Sequence, residues 1–305
     1  MQKVARAKQM ATCLGCLALG VLWGSLGFQG VSAQPAPAAP ARSNTAALSA
    51  EAKLASNLWL QTSAEYRACC LQIFKCGEIR LESLLKSSDP KPARPAVVMD
   101  LDETVLDNSS FQAFLYKHNL TYSNALWAEY EASYTQDVTL VPGARQFIAK
   151  AESLGVTVIY VTNRLEAYSK ATIAALQRLE ISTKNIDSRL YLRAQDGTVD
   201  KASRRETAST RYNVLLHFGD SLRDFSESFA APKLTRESTA EEYQKAIQAR
   251  LTLTDEVAGH WGTDWFVLPN PVYGEWERLV RQDPKVLLRP TTMKAPTKTK
   301  AAPEE

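Results

Sequence analysis

Between about residues 96 and 268, short apolar runs alternate with stretches of helical period, and each run stops at polar residues. Val156 to Val161 is the clearest, a near-continuous β-branched run of the kind buried on both faces of a sheet. Ala96-Val97-Val98-Met99, Leu190 to Leu192, Val214 to Phe218 and Trp265 to Leu268 are further strands of the same character. Between them, Pro142 opens a helix with Ala144, Phe147, Ile148, Ala151 and Leu154 on one face, and Gly155 closes it. Helices through Ile173, Leu176 and Leu179 and from Ala202 follow, and Ser238 with Glu241 has the spacing of a capping box for a late helix. Strand and helix in alternation predict an α/β fold, a parallel sheet covered by helices on both faces.

Two segments stand outside that alternation. A long helical stretch is predicted from about Ser49 to Lys86, with Leu54, Leu58, Ala68, Leu71, Phe74, Leu81 and Leu84 on a helical period. Asp89-Pro90-Lys91-Pro92 ends it, because proline disfavours the helical conformation in the residue before it. Ser110 to Leu140 is rich in aromatics without clear alternation and reads as a mostly helical insertion. The expected organisation is one domain over 49–285, with a smaller helical cap drawn from 49–90 and 110–140. No internal repeat is visible.

The N-terminus reads as an export signal over residues 1–33: Lys3, Arg6 and Lys8, then the uncharged run Ala11 to Phe28, then Val31-Ser32-Ala33 as a small-residue cleavage site. A retained membrane anchor is the competing reading, since the run is about as long as the shortest span. A lipoprotein signal ending at Cys16 has almost no apolar stretch before it. A Pro/Ala-rich linker fills 34–48, and residues 286–305, with the basic run Lys294 to Lys300, read as a disordered tail. Without the signal, 33 basic residues stand against 33 acidic ones, so the charge carries no footprint of a nucleic-acid polymer. The expected location is periplasmic or extracellular, with membrane attachment only if the first segment is retained. Of five cysteines, Cys13 and Cys16 fall in the signal; Cys69, Cys70 and Cys76 share one helix and read as small apolar residues, a bridge remaining open.

In open α/β sheets the chemistry sits at the carboxyl ends of the strands. Those ends carry Asp100-Leu101-Asp102-Glu103-Thr104, Thr162-Asn163-Arg164, Asp200-Lys201, and Gly219-Asp220-Ser221-Leu222-Arg223-Asp224. Four acids converging on one edge need compensating charge, which Lys201 and a divalent cation would supply. Oxygen ligands in small number suit Mg2+. Residues two apart near a strand end face the same way, so Asp100 and Asp102 are expected to reach one substrate, the first as nucleophile and the second as general acid. Thr162 and Lys201 would hold a phosphoryl group.

These motifs resemble the haloacid dehalogenase superfamily, in its four-aspartate phosphatases. The likeness narrows to the class C acid phosphatases, the lipoprotein e 5′-nucleotidase family, through Trp59 to Tyr66, Leu106-Asp107-Asn108-Ser109, Val141-Pro142-Gly143 and Leu268-Pro269-Asn270-Pro271-Val272-Tyr273-Gly274. It spans about residues 57 to 280. The resemblance implies a Rossmann-like core and a secreted acid phosphatase hydrolysing small phosphomonoesters, nucleoside monophosphates and aryl phosphates among them, through an aspartyl-phosphate. It implies Asp100 as nucleophile, Asp102 as acid and then base, and Thr162 and Lys201 on phosphate. Magnesium would be held by Asp100, the Asp102 carbonyl and Asp220, with Asp224 in support. Family members are often dimeric, so a homodimer is expected. Two features depart from the family: the lipid-anchoring signal is unconvincing, and Ser221 stands where asparagine is more usual.

Asn163, Trp127, Tyr130 and Tyr273 are candidate substrate contacts, the aromatics by stacking on a base or aryl group. Ordinary cap packing explains Trp127 and Tyr130 equally well. His118, His217 and His260 lack the context of a phosphohistidine mechanism, and His217 reads as a core residue. Asp102 argues against a dehalogenase, and export against an intracellular phosphomutase. A binding protein on an inactive scaffold would have had no reason to keep Asp100, Asp102, Lys201 and Asp220.

Overall fold

The structure, a computed structural model, describes residues 50–87, 92–195, 198–235, 237–280, 287–289 and 291–292. The signal segment, the linker, the helix stop at Asp89-Pro90 and the basic run Lys294 to Lys300 lie outside those residues. In chain order the main elements are α1 (Ala50–Thr62), α2 (Ala64–Ser87), β1 (Pro95–Met99), β2 (Leu106–Asp107), α3 (Ser109–Lys117), α4 (Asn124–Ser133), β3 (Thr139–Leu140) and α5 (Ala144–Ser153). Then come β4 (Thr157–Leu165), α6 (Ser169–Arg178), β5 (Leu190–Arg193), α7 (Ala202–Arg211), β6 (Asn213–Gly219), α8 (Ala240–Glu256) and β7 (Trp265–Val267).

Five strands form one sheet in the order β5-β4-β1-β6-β7, every neighbouring pair parallel. Strand β1 is central: the chain winds outward from it through β4 and β5, then returns to its other side for β6 and β7. That reversal opens a crevice at the carboxyl end of β1. Alternate residues serve the two faces. Val97 and Met99 of β1 join Val158 and Tyr160 of β4 in the larger core, while Ala96, Val98, Ile159 and Val161 meet Ala208 of α7 on the other face.

The single helix expected from Ser49 to Lys86 is two. Ser63 parts them: its Oγ accepts from the Tyr66 amide at 3.0 Å, an N-cap that satisfies one of the free amides at the start of α2. The cap expected from 49–90 divides accordingly. Helix α1 packs on α3 of the insertion, whereas α2 lies on the sheet and against α5. Its buried Tyr66, Cys70, Phe74, Gly77 and Leu81 repeat at helical spacing. Phe74 stacks on Phe218 with ring centroids 5.5 Å apart, and Phe218 on Phe266 at 4.9 Å. Gly77 makes room for this stack, since a Cβ there would come within 2.4 Å of Phe218 Cζ.

The insertion is mostly helical, and the antiparallel pair β2–β3 closes it at its base. The late helix α8 is capped one residue beyond the expected pair: Thr239 Oγ1 accepts from the Glu242 amide at 3.2 Å, and Glu242 returns to the Thr239 amide at 2.6 Å. Ser238 instead bonds the Thr235 amide at 3.1 Å, closing the turn before the helix. Cys69, Cys70 and Cys76 are free thiols. Among the described residues no helix is long and apolar enough to cross a membrane.

Candidate active site

Asp100 follows β1 directly, its amide bonded to the Phe218 carbonyl of β6 at 3.0 Å. Its carboxylate is buried in the crevice between these strands. Lys201, at the start of α7, places Nζ 2.6 Å from Asp100 Oδ1 and 2.6 Å from Asp224 Oδ1. Asp224 ends a short turn after β6 whose geometry Ser221 sets: the Ser221 amide donates to Asp224 Oδ2 at 3.0 Å. Gly219 is required by this arrangement, because a Cβ would lie 2.4 Å from Asp224 Cβ. Asp220 is fixed from the far side by Asn270, whose Nδ2 donates to Oδ2 at 2.8 Å.

Asp100, Asp220 and Asp224 bring one carboxylate oxygen each within 4.8 Å of one another. Three carboxylates face a single ammonium, so two negative charges are left over when all are ionised. Burial, then the charges of Asp224, Asp220 and Asp102, push the Asp100 carboxyl well above its usual range, against the pull of Lys201. Burial and the charge of Asp224 raise Asp220 to about 7. Burial works against the charge on Lys201, yet the flanking Asp100 and Asp224 hold its proton more firmly than usual. The surplus charge and the all-oxygen donor set fit a divalent cation such as magnesium.

Asp102 stands apart from this trio, contrary to the expectation that it would face the same way as Asp100. Strand β1 ends at Met99, and residues 101–106 fold into a tight loop in which the Leu101 carbonyl accepts from the amides of Val105 and Leu106, both at 2.8 Å. Strand alternation stops applying there. The loop turns Asp102 toward Arg164, which approaches Oδ1 through Nε at 2.9 Å and Nη2 at 2.8 Å. Asn108 Nδ2 donates a third contact to the same oxygen at 3.0 Å, and Asn108 Oδ1 accepts from Arg164 Nη2 at 3.1 Å. Arg164 is fully buried and shares a face of β4 with Thr162, two residues earlier.

Glu103, at φ 58°, takes the left-handed conformation that lets the loop turn this sharply. Its buried carboxyl accepts from the Asn108 amide at 3.1 Å and from the Tyr273 hydroxyl. Burial, then the charges of Asp102 and Asp220, push that carboxyl well above its usual range. Tyr273 and Asn270 thus bring one loop, residues 268–274, onto both the first and the last acidic motifs. Thr162 is buried, accepts from the Arg164 amide at 3.2 Å, and donates no hydrogen bond among the described residues.

Over residues 27–276 the sequence matches the family described as HAD superfamily, subfamily IIIB (acid phosphatase). The chain belongs to that family. Two solved structures of the class C acid phosphatase from Bacillus anthracis are similar to it. The one with tungstate bound is 29% identical with a TM-score of 0.65, covering 76% of this chain and 89% of that chain. The other is 30% identical with a TM-score of 0.63 and the same coverage, 76% and 89%. As a subfamily IIIB acid phosphatase, the chain is a phosphomonoesterase on the α/β fold expected of it.

The remaining candidates of this acid phosphatase divide. Tyr130 is buried inside the insertion, its hydroxyl paired with Ser110 at 3.2 Å and its ring 4.9 Å from that of Phe111, so the structure does not bring it to the pocket. Trp127 packs with it at 5.5 Å and lies under the Arg164 guanidinium, 5.9 Å from the ring centroid. The Tyr273 hydroxyl is committed to Glu103, and Asn163 Oδ1 to Arg204 Nη2 at 2.7 Å. Arg164, Asn108 and Asn270 are functional neighbours to which the sequence assigned no role. For Arg164 the signal was present: on a strand its position places it beside Thr162.

Proposed function

We propose that this acid phosphatase is exported, depends on magnesium, and hydrolyses small phosphomonoesters, nucleoside monophosphates and aryl phosphates among them, through an aspartyl-phosphate on Asp100. The observation that carries this reading is the Asp100 carboxylate buried against Lys201, in a cluster whose charge calls for a divalent cation. Asp100, Asp220 and Asp224 supply side-chain oxygens for that cation, with the Asp102 carbonyl implied by family resemblance. Bound there, magnesium would neutralise charge on the phosphoryl oxygens.

Lys201 occupies Oδ1 of Asp100, which leaves Oδ2 to attack phosphorus. The new P–O bond forms to Asp100 as the ester P–O bond breaks, and Asp102 gives its proton to the departing oxygen. Asp102 then takes a proton from water as the water oxygen attacks the phosphoryl-enzyme, and inorganic phosphate leaves with Asp100 restored. The Thr162 hydroxyl and Lys201 would bond the phosphoryl oxygens. An acidic optimum is expected from the family resemblance.

Export rests on the signal pattern of residues 1–33. A fractionated host carrying the full chain should yield mature protein beginning near Gln34; uncleaved protein in the membrane fraction would favour the anchor. A homodimer is proposed from family resemblance and is read by sedimentation. The activity is tested by phosphate release from p-nitrophenyl phosphate and nucleoside monophosphates, with magnesium and with EDTA. Turnover should require the metal and fall to background in Asp100→Asn. Folded, metal-loaded protein silent from about pH 4 to 9 would sink the reading.

A further inference from the structure

Positive charge that this reaction does not use collects beside the pocket, at the carboxyl ends of β4 and β5. Arg193, the last residue of β5, pairs in register with Leu165, the residue after Arg164 on β4. Its Nε is buried without a hydrogen-bond partner, and none of the ion pairs among the described residues includes Arg193 or Arg204. Arg204, early on α7, reaches the same rim. It donates to the Thr162 carbonyl, to Asn163 Oδ1 at 2.7 Å and to the Asp200 carbonyl at 3.0 Å. All these acceptors are neutral.

The acids within electrostatic reach are already engaged. Asp100 and Glu227 act on Arg204, but Asp100 is held by Lys201, and Glu227 by Arg223 at 2.6 Å. Glu131, on the insertion, feels both Arg164 and Arg193, yet its Oε1 takes the Leu165 amide at 2.7 Å and its Oε2 is buried without a partner. Burial raises the Glu131 carboxyl to about 7, so in acid it offers little countercharge. Burial first, with Arg193 and Arg205 adding to it, lowers the pKa of Arg204. The charge of Arg193 also reaches Tyr122, which places it at the seam between core and insertion. Partly buried guanidiniums without a carboxylate are costly unless an anion joins them.

That anion is not the transferring phosphoryl group, which Asp100, Thr162 and Lys201 already accommodate. We propose that Arg193 and Arg204 form a subsite for a second anionic group on the leaving portion of the substrate, so that the preferred esters carry two anions. The shared chemistry is a guanidinium–oxyanion pair, whether the oxyanion is a phosphate or a carboxylate. The inference rests on the phosphatase reading and narrows its substrate class.

Paired esters test it at one magnesium concentration: propyl phosphate against 1,3-propanediol bisphosphate, and phenyl phosphate against 4-carboxyphenyl phosphate. In wild type, kcat/KM should favour the doubly anionic member of at least one pair about ten- to a hundredfold, the worth of a charged hydrogen bond. The pair that shows the preference identifies the oxyanion. Arg193→Gln, with folding checked by circular dichroism, should bring that ratio near one, mainly through KM, and Arg193→Lys should restore part of it. Turnover of the simple esters with no preference in wild type overturns the subsite and leaves the phosphatase reading standing. A ratio that survives Arg193→Gln, or equal losses on both members of a pair, also overturns it. No turnover of any ester sinks both.

Discussion

Arg164 and Asn108 both hold Asp102 through Oδ1, which leaves Oδ2 for the proposed delivery of a proton to the leaving oxygen. Asp102→Asn should therefore slow an alkyl phosphate by about 10²–10⁴-fold, the usual worth of a general acid. Formation of the phosphoryl-enzyme from p-nitrophenyl phosphate should suffer less, since its leaving group needs little protonation. Equal losses in single-turnover rates would remove Asp102 from that role. Gly219 is the other sensitive point. A methyl group there displaces Asp224, so Gly219→Ala should cost on the order of 10²-fold in kcat while circular dichroism stays unchanged. The residues proposed to do chemistry stand out in the sequence because they end strands, where function in this architecture collects. Their partners were less so: Asp102 and Arg164 lie in separate motifs, and only the turn of the 101–106 loop reveals that they meet. Nor does Tyr273 announce that its hydroxyl belongs to Glu103.

Among the elements, α2 departs most from its expected place. Its apolar period was visible, but period alone does not say whether a helix covers a sheet or caps a pocket. Its glycine carries that information once the neighbours are known. Gly77→Ala forces the Cβ against Phe218, and the cost should be about 1–3 kcal/mol, read as a lower urea midpoint with unchanged slope. A stability equal to wild type would mean that the Phe74–Phe218–Phe266 stack yields without strain. The break at Ser63 is hard to see in the sequence, because a serine inside a helical period looks neutral until its hydroxyl is seen to cap the next helix. The late capping box slipped by one residue for a related reason. Ser238 with Glu241 and Thr239 with Glu242 have the same spacing, and only the backbone turn at Thr235 chooses between them. The parallel strands were the most legible elements, because burial on both faces leaves no room for polar alternation.

At the scale of the whole molecule, two buried groups oppose each other in acid. His217 of β6 has an unpartnered, buried Nδ1, and burial lowers its pKa to about 4. The unfolded chain binds that proton first, so His217 makes the fold lose up to roughly 3 kcal/mol as pH falls from about 6.5 to about 4. Glu131 does the reverse. Its raised pKa means the folded chain keeps a proton the unfolded chain has released, so stability falls as pH rises from about 4.5 to about 7. Relative to wild type, Glu131→Gln should become progressively less stable on acidification across that window. His217→Leu should become progressively more stable on acidification from about 6.5 to about 4. Urea midpoints measured at several pH values test both, and a variant-minus-wild-type difference independent of pH would refute the assignment. The last loop gives the molecule a direction in time. Asn270 and Tyr273 secure Asp220 and Glu103 from a segment made after every strand of the sheet. A ribosome therefore delivers the proposed nucleophile early and its bracing late, so a nascent chain, or one truncated before residue 270, holds the carboxylates without the clasp that sets them.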